Sequence, residues 1–252
     1  MAEAPTLDVL LPAGLAPIGP QDDARLEAHY AEAQLPWVRG NMIATLDGAA
    51  TGADGRSGSI NGAADHRVFE ALRGWADVIL VGAGTVRAEG YRSPRTPGHL
   101  LAARRGRGQA DHPSLAVVTG GGDLPDAVLT GEPAPWVVTT TDAPGLGTLR
   151  RRVPRGQVLV HEGAVDLAAT VDALVDAGLP RILTEGGPTL LGALLAAGVV
   201  DELCLTWSPR VVAGPAPRPV VAPAWFEPPV DARLGGLLHA GDVLLGRWLL
   251  RR

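Results

Sequence analysis

Two places in the chain share one chemical design. Val78-Ile79-Leu80-Val81 runs into Gly82-Ala83-Gly84-Thr85, and Ile182-Leu183-Thr184-Glu185 runs into Gly186-Gly187-Pro188-Thr189-Leu190. Each reads as an apolar strand that stops at glycines and opens a helix. Glycine lets a backbone come close to a ligand, and the free N–H groups and dipole at a helix start attract phosphate. Pro188 fits the first helical turn, where its missing N–H is no loss, and Thr85 or Thr189 can add a hydroxyl donor. The same pattern also arises where a helix start merely packs close to a sheet. Two such turns in one chain suit a dinucleotide, whose groups span two sites.

All 22 basic residues are arginine. Schiff-base and Walker-type lysine chemistry is therefore excluded, and phosphate must be held by backbone N–H groups, hydroxyls and guanidinium forks. Glu185 is the sharpest single residue. A carboxylate at a strand end beside an anion-attracting helix start is electrostatically awkward unless it meets a donor, so it could hydrogen-bond a heterocycle or deliver a proton. Asp47 precedes glycine at a turn, which suits a structural role as well as a catalytic one. Arg73 ends a predicted helix, where a cation is favoured in any case.

Several other chemistries are excluded. Gly82-x-Gly84 has Arg87 where the dinucleotide fingerprint needs its third glycine. Gly55-Arg56-Ser57-Gly58-Ser59 ends in serine and so misses the hydrolase nucleophile elbow. The six histidines never pair at i, i+4, and the single Cys204, read as a core residue, permits neither a disulfide nor a cysteine zinc site; no metal is expected. A formal charge of −5 argues against nucleic-acid binding, with the clusters Arg104-Arg105-Gly106-Arg107 and Arg150-Arg151-Arg152 read as solvated loop or helix ends. The apolar runs are too short for a membrane span, and the first twenty residues lack the pattern of an export signal. A soluble, cytoplasmic protein is the expectation.

Elements to position these residues are legible along the chain. Asp22 to Ala33 reads as a short helix and Trp37 to Ala44 as a strand. Gly48 to Gly62, too long for a tight turn, reads as a candidate active-site loop. Ala63 to Arg73 has helical spacing, and a further helix runs from the first glycine turn through Glu89. Gly90 to Pro113 shows no period and reads as a long surface loop. Strands follow at Leu115 to Thr119, Trp136 to Thr140, Val158 to His161, Arg181 to Thr184 and Glu202 to Trp207. Helices are predicted at Leu146 to Arg152, Leu167 to Ala177 and Pro188 to Ala197. This alternation predicts an α/β sheet covered by helices on both faces. Arg233 to Leu238 and Val243 to Leu250 read as a closing antiparallel hairpin, which makes the sheet mixed. No linker or repeat interrupts the chain, so residues 1–252 are expected to form one domain, with 1–35 an N-terminal extension carrying a short helix.

Four blocks carry a resemblance. Asn41-Met42-Ile43-Ala44-Thr45-Leu46-Asp47-Gly48, Val78 to Val86, Leu183-Thr184-Glu185-Gly186-Gly187-Pro188-Thr189-Leu190, and Gly198-Val199-Val200-Asp201-Glu202-Leu203 resemble, in order, the reductase domain of the bacterial riboflavin-biosynthesis deaminase/reductase family. The resemblance spans most of Asn41 to Trp207. It implies a dihydrofolate reductase-like three-layer α/β/α fold with a mostly parallel sheet, NADPH as cofactor, a homodimer, and hydride transfer to a phosphorylated ribosylaminouracil. The single cysteine excludes the partner deaminase domain, leaving a stand-alone reductase.

By that resemblance Gly186, Gly187, Pro188, Thr189, Leu190, Leu191, Gly192 and Ala193 form the pyrophosphate turn, and Ile43, Ser59, Thr85 and Glu89 match further cofactor contacts. Ser57 and Arg73 match substrate contacts, Arg92 or Arg95 a third, and Glu185 faces substrate. Thr119-Gly120-Gly121 and Arg87 are candidates for the 2′-phosphate. The chain departs from the family at Ser59, where tryptophan is usual, and through Glu89-Gly90-Tyr91-Arg92-Ser93-Pro94-Arg95. Reduction of dihydrofolate or another pterin therefore stays open, as does a non-catalytic NADPH-binding protein.

Overall fold

The computed structural model describes residues 4–32 and 34–251, so Ala33, the end of the first predicted helix, lies outside the described residues. The chain begins with β1 (Asp8–Leu11) and α1 (Asp23–His29), where the Asp22 carboxylate caps the helix by accepting from the Arg25 N–H. β2 (Trp37–Thr45), α2 (Ala63–Trp75), β3 (Val78–Gly82), α3 (Ala83–Glu89), α4 (Leu101–Gly106) and β4 (Ser114–Val118) follow. Next come α5 (Asp126–Leu129), β5 (Trp136–Thr140), α6 (Leu146–Arg152), β6 (Val158–His161), α7 (Leu167–Asp176), β7 (Arg181–Thr184) and α8 (Pro188–Ala196). The C-terminal part is β8 (Glu202–Ser208), β9 (Ala232–Ala240) and β10 (Val243–Leu250).

The strands form one sheet in the order β1-β9-β10-β8-β2-β7-β3-β4-β5-β6. Pairings from β8 through β6 are parallel, whereas β10 pairs antiparallel with both β8 and β9, and β1 antiparallel with β9. The alternation of a strand explains the layers. Ile79 and Val81 of β3 join the cluster beneath α2, with Val68 and Leu72, while Val78 and Leu80 join the one beneath α7 and α8, with Leu174, Leu191 and Leu194. This is the three-layer α/β arrangement with a mixed, mostly parallel sheet and a closing hairpin.

Apart from the short α5, for which no helix was expected, the structure departs from expectation in two segments. β1 pairs with β9 at Asp8↔His239 and Val9↔Leu238, so the N-terminal segment forms the sheet's edge beyond the hairpin. Leu7 and Ile18 exchange backbone hydrogen bonds of 3.0 and 2.8 Å and are both fully buried. The stretch Gly90 to Pro113 is also not simply a surface loop. It contains α4, and Arg104 is buried there, donating to the carbonyls of Gly74 at 3.0 Å, Ala76 at 2.6 Å and Ala110 at 2.7 Å. The last carbonyls of a helix have no partner in their own ladder. Arg104 supplies one for the end of α2, whereas Arg150, Arg151 and Arg152 are exposed as expected.

A buried ionic cluster ties the sheet's central strands to its hairpin. Glu202 of β8 accepts from Arg39 Nε on β2 at 3.0 Å and from Trp37 Nε1 at 3.1 Å, and Arg247 Nε of β10 lies 3.0 Å from it. Arg39 is wholly buried, with its guanidinium 4.0 Å from the Trp75 ring centroid. Cys204 is the core residue expected, donating to Glu202, and burial pushes its thiol pKa up.

Candidate active site

The carboxyl ends of β2, β7 and β3 lie side by side, which is where parallel α/β sheets open a crevice for ligands. A cleft of about 860 Å³ lies there, walled by the loop after β2, by α2 and by the starts of α3 and α8. It contains Ile43, Ser57, Arg73, Thr85 and Glu89 of the expected residues, with Arg92 and Arg95 exposed at its side. Glu185, Gly187, Pro188, Thr189 and Leu190 complete the expected set from the second glycine turn.

Glu185 does not wait for a substrate donor. Its Oε1 and Oε2 accept from Arg73 Nε and Nη2, each at 2.7 Å, and the Tyr91 hydroxyl also donates to Oε2. By sequence, Glu185 and Arg73 are expected as two separate substrate contacts. They form one bidentate ion pair in which the Glu185 side chain is only 3% exposed. Burial alone would lower the Arg73 pKa, but the attraction of Glu185 outweighs it and raises the value. Burial and the Glu185 charge together raise the Tyr91 phenol, which stays protonated. The Arg73 guanidinium also hydrogen-bonds Tyr91, lies 4.0 Å from the Phe69 ring centroid, and belongs to a side chain that keeps 22% of its surface exposed. The fork is held by Glu185 and stays partly exposed in the cleft lining.

Ser57 and Glu89 are also paired with each other: Glu89 Oε1 accepts from Ser57 N at 2.8 Å and from Ser57 Oγ at 3.0 Å. The end of α3 thus fixes the loop after β2 against the cleft. Four other expected residues are turned elsewhere. Ser59 Oγ donates to Asp54 and to the Arg56 carbonyl within its own loop. Asp47 is exposed and accepts from Thr45 Oγ1 at 2.5 Å and from Ala213 N at 2.7 Å, bonds that lower its pKa. It staples the end of β2 to the segment after β8 and does not line the cleft. Leu191 is fully buried in the core, and a Cβ at Gly192 would stand 2.1 Å from the Val221 carbonyl oxygen, so that glycine serves packing. Gly186 lies beneath the cleft at φ +78, where its carbonyl accepts from Gly82 N at 2.8 Å.

A second hollow of about 560 Å³ adjoins the first and shares Gly82, Gly84, Thr189 and Leu190 with it. Its lining includes Ala193 and every 2′-phosphate candidate, Arg87, Thr119, Gly120 and Gly121. The starts of α3 and α8 form the saddle between the two spaces, so an extended ligand can cross both helix starts. Among the cleft residues that the sequence alone does not assign to a site are Tyr91 and Asp65. Tyr91 lay in a stretch without period, and Asp65, 8% exposed, was passed over because only the apolar positions of α2 were weighed.

The sheet, with its crevice across two glycine-opened helices, defines a three-layer α/β protein with a mixed, mostly parallel sheet. More narrowly, the chain belongs to the RibD C-terminal domain family, which matches residues 36–239. It is 32% identical over 200 residues to the 2,5-diamino-6-ribosylamino-4(3H)-pyrimidinone 5′-phosphate reductase of Methanothermobacter thermautotrophicus, covering 78% of this chain and 88% of that protein. The protein of the same name from Archaeoglobus fulgidus is 28% identical over 181 residues, covering 71% and 83%. Among solved structures, a pyrimidine reductase-like protein from Corynebacterium diphtheriae superposes with a TM-score of 0.77 at 27% identity, covering 86% of this chain and 92% of that one.

Proposed function

We propose that this chain is an NADPH-dependent reductase of a phosphorylated ribosylaminopyrimidine. The observation that carries the reading is the Glu185–Arg73–Tyr91 cluster, set in one cleft with the glycine-opened start of α8. The residues fit a dinucleotide. At Gly187 a Cβ would stand 2.7 Å from Thr85 Oγ1, so the glycine lets the start of α8 and the Thr85 hydroxyl come close together in the cleft wall. Backbone N–H groups of the α8 start, with the Thr85 and Thr189 hydroxyls, would hold the pyrophosphate. Arg87 and Thr119 to Gly121 would meet the 2′-phosphate in the adjoining hollow. A bound dihydronicotinamide supplies hydride, and the protein supplies position and charge.

On the substrate side, Arg73, Arg92 and Arg95 suit a sugar phosphate. Glu185 acts by fixing Arg73, and Ser57 is placed by Glu89. The names of the archaeal relatives favour the diaminopyrimidinone phosphate as substrate, with the aminouracil as its close analogue. The same reading makes residues 1–252 one domain and the chain a cytoplasmic homodimer. Exposed Val211 and Trp225 after β8 support the dimer, because they offer a second copy an apolar surface.

The test follows NADPH absorbance with the diaminopyrimidinone phosphate, the aminouracil phosphate and dihydrofolate in turn. Oxidation with either ribosylaminopyrimidine is the expected outcome. Turnover of dihydrofolate alone sinks the assignment, and stoichiometric NADPH binding without any turnover makes the chain a binding protein.

A further inference from the structure

Three carboxyl side chains stand in the wall of the main cleft, those of Asp65, Glu89 and Glu185. Two have partners that fix their work. Glu185 holds the Arg73 fork and the Tyr91 hydroxyl, and Glu89 holds Ser57. Asp65 has no such commitment. It is the third residue of α2, it is 8% exposed, and its hydrogen-bonding neighbour is the neutral hydroxyl of Thr206 on β8.

Its position follows from two registers. Thr206 pairs with Ile43 across β8 and β2, and Ile43 lies in the cleft, so Asp65 stands over the cleft's strand floor. Along α2, Asp65, Phe69 and Arg73 recur every four residues and form one stripe facing the cleft. Eight residues of helix rise about 12 Å. A ribosylaminopyrimidine phosphate lying on this stripe would have its anionic end at Arg73 and its C–N bond toward Asp65.

We infer that Asp65 is the proton-donating catalytic residue of the reduction. The inference rests on the reductase reading above. Hydride addition to the carbon of a C=N bond breaks the π bond and leaves its electron pair on nitrogen. That nitrogen takes the proton of the Asp65 carboxyl, the product is an amine with new C–H and N–H bonds, and the dinucleotide is the species oxidised. Asp65 is left as carboxylate and recovers its proton from water when product leaves.

The surroundings favour this use. Burial raises the Asp65 pKa above the ordinary aspartate value, and the Thr206 hydroxyl and the charge of His66 offset this only in part. A bound ligand expels water and pushes it in the same direction. The ionisable groups sharing the wall are His66 and Arg73 on its own helix, Glu89, Tyr91, Arg92 and Arg95 from α3 onward, and Glu185 at the end of β7; β8 and β2 present Thr206 and Ile43.

Asp65→Asn keeps the size and polarity of the side chain and removes the proton. The variant is expected to lose about 100-fold in kcat with the diaminopyrimidinone phosphate, the lower end of what a positioned acid contributes. KM and the NADPH Kd stay within about threefold, and the decline of wild-type kcat with rising pH disappears. Independently, carbon-13 NMR of the ligand-free protein should show one aspartate carboxyl, absent from the variant, that titrates above the ordinary range. Retention of a third of kcat, a rise in KM alone, an unchanged pH profile or an ordinary titration would each overturn the proposal. A wild-type chain that turns over neither ribosylaminopyrimidine overturns the functional reading and this proposal with it. A raised titration in that same chain locates the failure in the substrate assignment.

Discussion

Glu185→Gln would remove the charge to which the Arg73 fork is bound while keeping the length of the side chain. Breaking a buried pair from one side is strongly destabilising, so the variant should lose about 3 kcal/mol, read by denaturant unfolding. A loss under 0.5 kcal/mol would mean that Arg73 finds another partner. Both residues were legible as site residues, because a strand-end carboxylate and a helix-end arginine carry recognisable electrostatics. Their pairing was not legible, since they lie 112 residues apart and nothing local reports the contact. The same holds for Ser57 and Glu89, 32 residues apart, which looked like separate ligand contacts and are one clasp.

At the scale of elements, the second glycine turn is where sequence and structure agree most closely. Gly187→Asp would put a side chain toward Thr85 Oγ1, which a Cβ already approaches to 2.7 Å, and a negative charge where a phosphate belongs. NADPH affinity, measured by fluorescence titration, should fall at least tenfold, about 1.4 kcal/mol; unchanged affinity would remove this turn from the site. β5, β6, β7 and α6 have the bounds expected of them, because apolar runs broken by Gly, Pro or charge leave little latitude. β1 and α4 escaped notice for a different reason. β1 is defined by its pairing with β9, near the other end of the sequence, and α4 hides its arginine by answering the open carbonyls of α2.

Across the whole molecule, the stability of the hairpin side should depend on acid through His29. Burial and the neighbouring Arg247 lower its pKa from 6.5 to about 4, against a smaller opposing effect of Glu202. The unfolded chain therefore binds this proton first as pH falls. The stabilising contribution is complete above about 6.5 and is lost on the way down to about 4. His29→Gln should flatten that part of the Tm profile relative to wild type; parallel profiles would clear His29 of the role. The sequence could not announce this group, because its surroundings come from β8 and β10.

The sheet order also constrains how the chain reaches this state. β3, β4 and β5 each pair with the strand that follows, so that wing can grow by short closures. β2 has no neighbour until β7 and β8 arrive, and Arg39 meets Glu202 across 163 residues. Long closures are entropically costly and slow. The floor beneath Ile43 is therefore built late, and the ability to bind ligand marks the end of folding rather than an early foothold.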